Sequence, residues 1–165
     1  MGLVVVVMGV SGSGKTTVGR RLAGRLGVPY AEADEFHPPA NIEKMSAGRP
    51  LTDEDRWPWL GAIADWVTER AAQRGGVVGC SALKRSYRDL LRSAADRVWF
   101  LHLDGSRALI ADRITGRSGH FMPPALLDSQ FADLEPLDPD EPGLILDVAA
   151  APEEIVETAV RALPA

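Results

Sequence analysis

Cysteine is almost missing from this chain: Cys80 is the only one in 165 residues, so no internal disulfide can form. That favours a reducing compartment and leaves Cys80 as a small buried group at a strand end. Lysine is scarce as well, limited to Lys15, Lys44 and Lys84, and the 18 basic residues are outnumbered by 23 acidic ones for a formal net charge of -5. The missing basic surplus argues against a dedicated nucleic-acid binder. It leaves room for a local arginine cluster, which suits phosphate and carboxylate. No apolar run approaches the ~18 residues of a membrane span. The valine-rich stretch Leu3–Met8 is too short, and lacks the basic flank, for a secretory signal. The expectation is a cytoplasmic protein with no nucleic-acid and no membrane partner.

With 45% hydrophobic and 25% charged residues, the chain has the balance of an ordinary globular protein. One domain spanning 1–165 is long enough to bury its own core. Five short apolar runs read as strands: Leu3–Met8, Pro29–Ala33, Val77–Cys80, Val98–Leu103 and Leu144–Val148. Stripes of helical period fall between and after them. These are Val18, Leu22 and Leu26; then Trp57, Leu60, Ile63, Ala64 and Val67; then Tyr87, Leu90, Leu91 and Ala94; and finally Ile155, Val156, Ala159, Val160 and Leu163. Thr52-Asp53-Glu54-Asp55 resembles a capping box at the head of the second stripe. Alternating strands and helices imply an α/β fold, with a five-stranded parallel sheet and helices on both faces. The proline-rich acidic stretch Glu135–Pro142 reads as a surface loop, and Trp57, Trp59 and Trp66 as packing groups.

The strongest motif is Gly9-Val10-Ser11-Gly12-Ser13-Gly14-Lys15-Thr16, a phosphate-binding loop between a valine strand and an amphipathic helix. Its glycines let successive N–H groups face phosphate oxygens, and the helix N-terminus adds a positive dipole end. In such loops the lysine, here Lys15, reaches the β- and γ-phosphates, and the hydroxyl of Thr16 ligates Mg²⁺. Thr17 completes the candidate ATP-binding set. Ligands of open parallel sheets gather at the carboxyl ends of the strands. Asp34, just past the second strand, is therefore a candidate to orient or deprotonate an acceptor hydroxyl, against the plainer role of a turn residue. Glu32 is evenly balanced between site and surface, and His37 between substrate contact and loop residue. The segment Arg113-Ile114-Thr115-Gly116-Arg117-Ser118-Gly119-His120-Phe121 starts helical and breaks at glycines. That is the pattern of a lid over the nucleotide, spanning about residues 113–124.

Several blocks beyond the loop resemble the gluconokinase family, which belongs to the shikimate-kinase-like P-loop kinases. They are Asp34-x-x-His37-Pro38-x-x-Asn41-Ile42-x-Lys44-Met45, Gly48-x-Pro50-Leu51-x-Asp53-x-Asp55-Arg56-x-Pro58-Trp59-Leu60, Cys80-Ser81-Ala82-Leu83-Lys84-x-x-Tyr87-Arg88-Asp89-Leu90-Leu91-Arg92, Arg117-x-Gly119-His120-Phe121-Met122 and Ser129-Gln130-Phe131-x-x-Leu134-Glu135. The resemblance implies a single-domain P-loop kinase fold with a mobile lid. It implies transfer of the ATP γ-phosphoryl to the 6-hydroxyl of D-gluconate, with Mg²⁺, and often a homodimer. It also implies that Asp34, His37, Arg56, Ser81, Lys84, Arg88, His120 and Gln130 face the substrate. Arg117 would act on the transferring phosphoryl group, and Arg113 would lie nearer the adenine or α-phosphate. On the residues alone, Arg56, Lys84, Arg88 and Gln130 also read as solvated surface groups, and Arg113 and Arg117 as a basic helix end. Two other functions remain open at this point: another small kinase of the same fold, such as a shikimate kinase, and an ATP-binding module without catalysis. Ser81-Ala82-Leu83-Lys84 stands where shikimate kinases carry a triple glycine. The third strand ends without the carboxylate that many P-loop enzymes place near the metal, and Val148–Pro152 is the expected flank of the adenine.

Overall fold

The computed structural model describes residues 2–115 and 124–164. Its central strand is β1, Leu3–Met8. Alternation along that strand sends Val4, Val6 and Met8 into one core layer and Val5 and Val7 into the other, all fully buried. A strand covered on both faces needs apolar residues at every position, which is why it reads as an unbroken valine run. It is flanked by β3 (Gly75–Gly79) and β4 (Val98–Asp104), with β2 (Tyr30–Glu32) and β5 (Gly143–Asp147) at the edges. Every pairing is parallel, in the order β2-β3-β1-β4-β5. The strand runs expected from sequence match these five to within two residues at every end.

Helices cover both faces. On one, α1 (Lys15–Leu26) and α7 (Pro152–Ala162) pack Val18, Leu22, Ile155, Val156 and Ala159 against Val5 and Val7. On the other, α3 (Asp53–Ala71) and α4 (Arg85–Arg92) pack Trp59, Leu60, Ile63, Tyr87 and Leu91 against Val4, Val6 and Met8. The capping box forms: Thr52 Oγ1 accepts from the Asp55 N–H at 3.2 Å, and Asp55 Oδ2 accepts from the Thr52 N–H at 2.8 Å. Trp57 departs from the expected stripe. It is 41% exposed and meets Tyr87 edge-on, while Trp59 fills the core position.

Helix α2 (Pro39–Ser46) was not expected, because Pro38-Pro39 reads as a loop. The proline at its first turn suits a helix start, where a missing N–H leaves no bond unmade. Helices α5 (Arg107–Thr115) and α6 (Pro124–Asp133) flank the expected lid, most of which lies outside the described residues. Among the described residues no helix is long and apolar enough to cross a membrane.

Candidate active site

The loop joining β1 to α1 carries the phosphate motif. Gly12 and Gly14 have φ of 81° and 96°, which side chains rarely adopt. A Cβ on Gly12 would also meet the Ile114 side chain at 2.8 Å, whereas Gly14 faces open space at the head of α1. Lys15 Nζ donates to the carbonyls of Gly9 and Val10 at 3.0 Å each, curling back over the loop. Ser13 Oγ is buried with no hydrogen-bond partner among the described residues.

The loop opens on a cavity of about 430 Å³, within the range typical of small-molecule sites. Ser11 and Lys15 form its phosphate side. Asp34, from the 3-10 turn Ala33–Phe36 after β2, faces them with a side chain that is 90% exposed. His37, Arg56, Trp59, Ser81 and Gln130 contribute further walls. Five of the eight residues expected at the substrate therefore converge with the phosphate loop: Asp34, His37, Arg56, Ser81 and Gln130.

Each is held by identifiable partners. The His37 ring stacks on Trp59 with centroids 4.4 Å apart, and Trp59 Nε1 donates to the Ala33 carbonyl at 2.7 Å. Burial, more than anything else, lowers the pKa of His37. Asp34 opposes that shift and Arg56 adds to it. Arg56 donates to the Tyr87 hydroxyl at 2.8 Å and pairs with Asp133 at 3.3 Å. Gln130 grips the phosphate loop itself, accepting from the Ser11 N–H at 2.7 Å and donating to Ser11 Oγ at 3.1 Å.

Two expectations need correction. Arg88 is fully buried and cannot reach substrate. Its guanidinium makes a two-pronged pair with Glu141 at 2.7 and 2.9 Å and donates to the carbonyls of Ala82, Leu83 and Pro136. It supports from behind the turn that carries Ser81, where Ala82 adopts a positive φ of 42°. Ser81 in turn accepts from the Gly9 N–H at 3.3 Å. Lys84 does not line the cavity either. It is the N-cap residue of α4 and pairs with Asp53 at 2.9 Å. Arg117 and His120 lie outside the described residues.

Other site groups were not on the expected set. Arg49 lines the cavity and forms no ion pair among the described residues, while Ile42, Met45 and Leu51 give it an apolar wall. The helical reading that would have placed Ile42 and Met45 was available in Pro39-Ala40-Asn41. Glu32 is the carboxylate missing from the end of β3, supplied by the neighbouring strand with which it is in register. It accepts from the Thr16 hydroxyl and, at 2.9 Å, from Tyr30. With its proton given to Glu32, Thr16 Oγ1 keeps its lone pairs for a hard cation, and oxygen donors of this kind suit Mg²⁺.

A second cavity lies across the same loop. It is bounded by Gly12, Ser13, Gly14 and Thr17 on one side and Arg113, Val148, Ala150 and Pro152 on the other. Arg113 donates to the Val148 carbonyl at 2.5 Å. Val148, Ala150 and Pro152 thus lie across this cavity from the loop.

A parallel sheet in this strand order, a glycine loop with Lys-Thr between β1 and α1, and an acceptor-side carboxylate across one cavity define a P-loop kinase. The model of the shikimate kinase family matches residues 11–134. A gluconokinase of Gluconobacter oxydans is 51% identical over 158 residues, covering 95% of this chain and 89% of the relative. Among solved structures, a sugar kinase of Janibacter sp. superposes with a TM-score of 0.93 at 53% identity, covering 98% and 94% of the two chains. A gluconokinase of Sinorhizobium meliloti superposes at 0.90 and 48%, covering 97% and 90%. The chain belongs to the gluconokinases of the shikimate kinase family.

Proposed function

We propose that this chain transfers the γ-phosphoryl group of ATP to the 6-hydroxyl of D-gluconate, giving 6-phospho-D-gluconate and ADP. The observation that carries this is the sharing of one cavity by Lys15 and Asp34. Phosphoryl transfer needs little covalent help from a protein. It needs an oriented nucleophile and compensation of charge on the moving group. Asp34 would accept the hydrogen bond, and finally the proton, of the acceptor hydroxyl. Lys15 and the loop N–H groups would neutralise the β- and γ-phosphates. Arg117 would offset charge on the transferring group, and His120 would contact the acceptor.

Among the described residues, Arg49 and Arg56 are the guanidinium groups that line the acceptor side, and gluconate is a polyhydroxy anion. One of them would hold its carboxylate, with His37, Ser81 and Gln130 binding hydroxyls. The second cavity, with Thr17 and Arg113, would take the nucleoside. Thr16, backed by Glu32, would hold Mg²⁺ together with phosphate oxygens and water. Bound there, the ion would screen the phosphate charges. Cytoplasmic residence and a homodimer belong to the same proposal, and sedimentation velocity tests the dimer.

The deciding experiment is a coupled ADP assay with gluconate, shikimate, adenylate and related sugar acids, with and without Mg²⁺. ADP release that rises only with gluconate and Mg²⁺ is expected. Turnover on another acid alone, or ATP binding with no turnover on any of them, would overturn the proposal.

A further inference from the structure

Asn41 lies on α2, is 3% exposed and is not among the residues that line the acceptor cavity. Its side-chain nitrogen makes two contacts. Nδ2 donates to the Asp55 carbonyl at 2.8 Å and lies 3.2 Å from His37 Nδ1. The first contact decides the second. A backbone carbonyl only accepts, so the amide must turn its NH₂ toward Asp55. The opposite orientation would bring two oxygens to 2.8 Å. With Nδ2 thus assigned, it meets His37 as a donor, and His37 Nδ1 must accept. In a neutral imidazole the proton then sits on Nε2.

His37 lines the cavity, and its Nε2 lies on the side of Asp34, which lines the cavity too. Nε2 is 4.0 Å from Asp34 Oδ1, beyond hydrogen-bond reach. The charged groups bearing on His37 are Asp34 and Arg56, and burial favours its neutral form. Stacking on Trp59 fixes the ring plane, so the proton's direction is set as well as its position.

We propose that Asn41 is a positioning residue that locks His37 as the Nε2–H tautomer, so that the acceptor pocket presents one fixed donor, His37, beside the acceptor Asp34. The inference rests on the gluconate-kinase proposal and deepens it. A polyol bound here meets an N–H and a carboxylate about 4.0 Å apart, which suits an oxygen that accepts from His37 while its own or a neighbouring hydroxyl donates to Asp34. With the other tautomer, Nδ1–H would meet the Asn41 NH₂, and the substrate would face a second acceptor in place of a donor. The pair thereby selects for hydroxyl groups in that spacing.

The primary test is ¹⁵N-edited NMR of the imidazoles in the whole chain, which has three histidines to assign. His37 should show an unprotonated Nδ1 and a protonated Nε2, and a protonated Nδ1 in the neutral ring would overturn the proposal. Asn41→Leu, which removes the donor, should yield a tautomer mixture. It should raise KM for gluconate about tenfold, the loss expected for one hydrogen bond to a buried group. KM for ATP should stay within about twofold, because α2 does not touch the nucleotide side. An unchanged tautomer or an unchanged gluconate KM in folded Asn41→Leu would overturn it.

A second pair guards against misfolding at Asn41. His37→Gln places an amide nitrogen near the imidazole Nε2 position, and His37→Asn is too short to do so. Both lose the stacking on Trp59 equally. His37→Gln should keep the lower gluconate KM, and equal losses would point to packing alone. Failure of the gluconate assay with the wild-type chain would sink the functional proposal while leaving the NMR result readable.

Discussion

At the scale of single residues, Arg88 and Asp34 show how position decides what a charged group does. Arg88 and Glu141 are both fully buried side chains, and a pair of this kind stabilises only while it stays whole. Burial is the largest single influence and raises the Glu141 carboxyl pKa, but the hydrogen bonds from Arg88 and the Asp138 backbone, with the charges of Arg88 and Arg85, together outweigh it and hold the group below the usual carboxylate range. Arg88→Leu should therefore destabilise the chain by about 3–5 kcal/mol, because Glu141 is left buried and unpaired. Urea denaturation measures this, and Arg88→Leu/Glu141→Leu should recover much of the loss. A fully stable Arg88→Leu with weakened gluconate binding would restore the substrate role first read from its sequence block. Asp34 is the opposite case, with a side chain 90% exposed to the cavity and no buried partner to lose. Asp34→Asn should leave stability within about 0.5 kcal/mol, as surface changes usually do. It should lower kcat about 100-fold or more, the scale of general-base assistance, with ATP affinity little changed. Equal losses in kcat and ATP affinity would assign it to the nucleotide instead.

Among elements, α3 does the most to connect fold and site, since it delivers Arg56 and Trp59 to the acceptor cavity. Its first turn is held by the Thr52–Asp55 capping box and by the Lys44–Asp55 pair at 2.6 Å, which ties it to α2. The hydrogen bond from Lys44 is the largest influence lowering the Asp55 pKa, with those from Thr52 next, and together they bring it to about 2. A depressed carboxylate contributes stability above its unfolded pKa and loses it as pH falls through the folded value. The melting-temperature gap between wild type and Asp55→Asn should be full above pH ~4 and close as pH falls toward 2. Thr52→Ala should lower stability by about 1 kcal/mol, the usual worth of an N-cap. A pH-independent gap would show that Asp55 acts through packing.

This element also shows what was legible from sequence. The cap was readable because its partners are three residues apart. The turn of helix that brings Trp59, not Trp57, to the core was not, because both tryptophans suit an apolar stripe. Helix α2 was hidden by its own opening prolines. The role of Arg88 depends on Glu141, 53 residues further along the chain, and no local pattern announces such a partner.

For the whole molecule, the phosphate loop is the shared wall of two cavities. Ser11 and Lys15 face the acceptor side, and Gly12, Gly14 and Thr17 face the other. The valine strand and the loop were legible because burial on both faces and phosphate chemistry each demand a fixed composition over consecutive residues. The crossbar between the two sides was not. It is α6, which holds Ser11 through Gln130 and Arg56 through Asp133. One helix thus touches both the nucleotide loop and the acceptor-side cation, which gives a route by which a ligand at one contact would alter the other. Coupling between sites is a free energy and is reciprocal. A non-hydrolysable ATP analogue should tighten gluconate binding at least about fivefold, and gluconate should tighten the analogue by the same factor. Isothermal titration of each ligand with and without the other measures both arms. Gln130→Ala frees the loop from α6 and should bring that factor toward one, while changing the affinity for the analogue alone far less. Coupling that survives Gln130→Ala undiminished would mean that α6 is not its route and that the sites communicate across the loop itself.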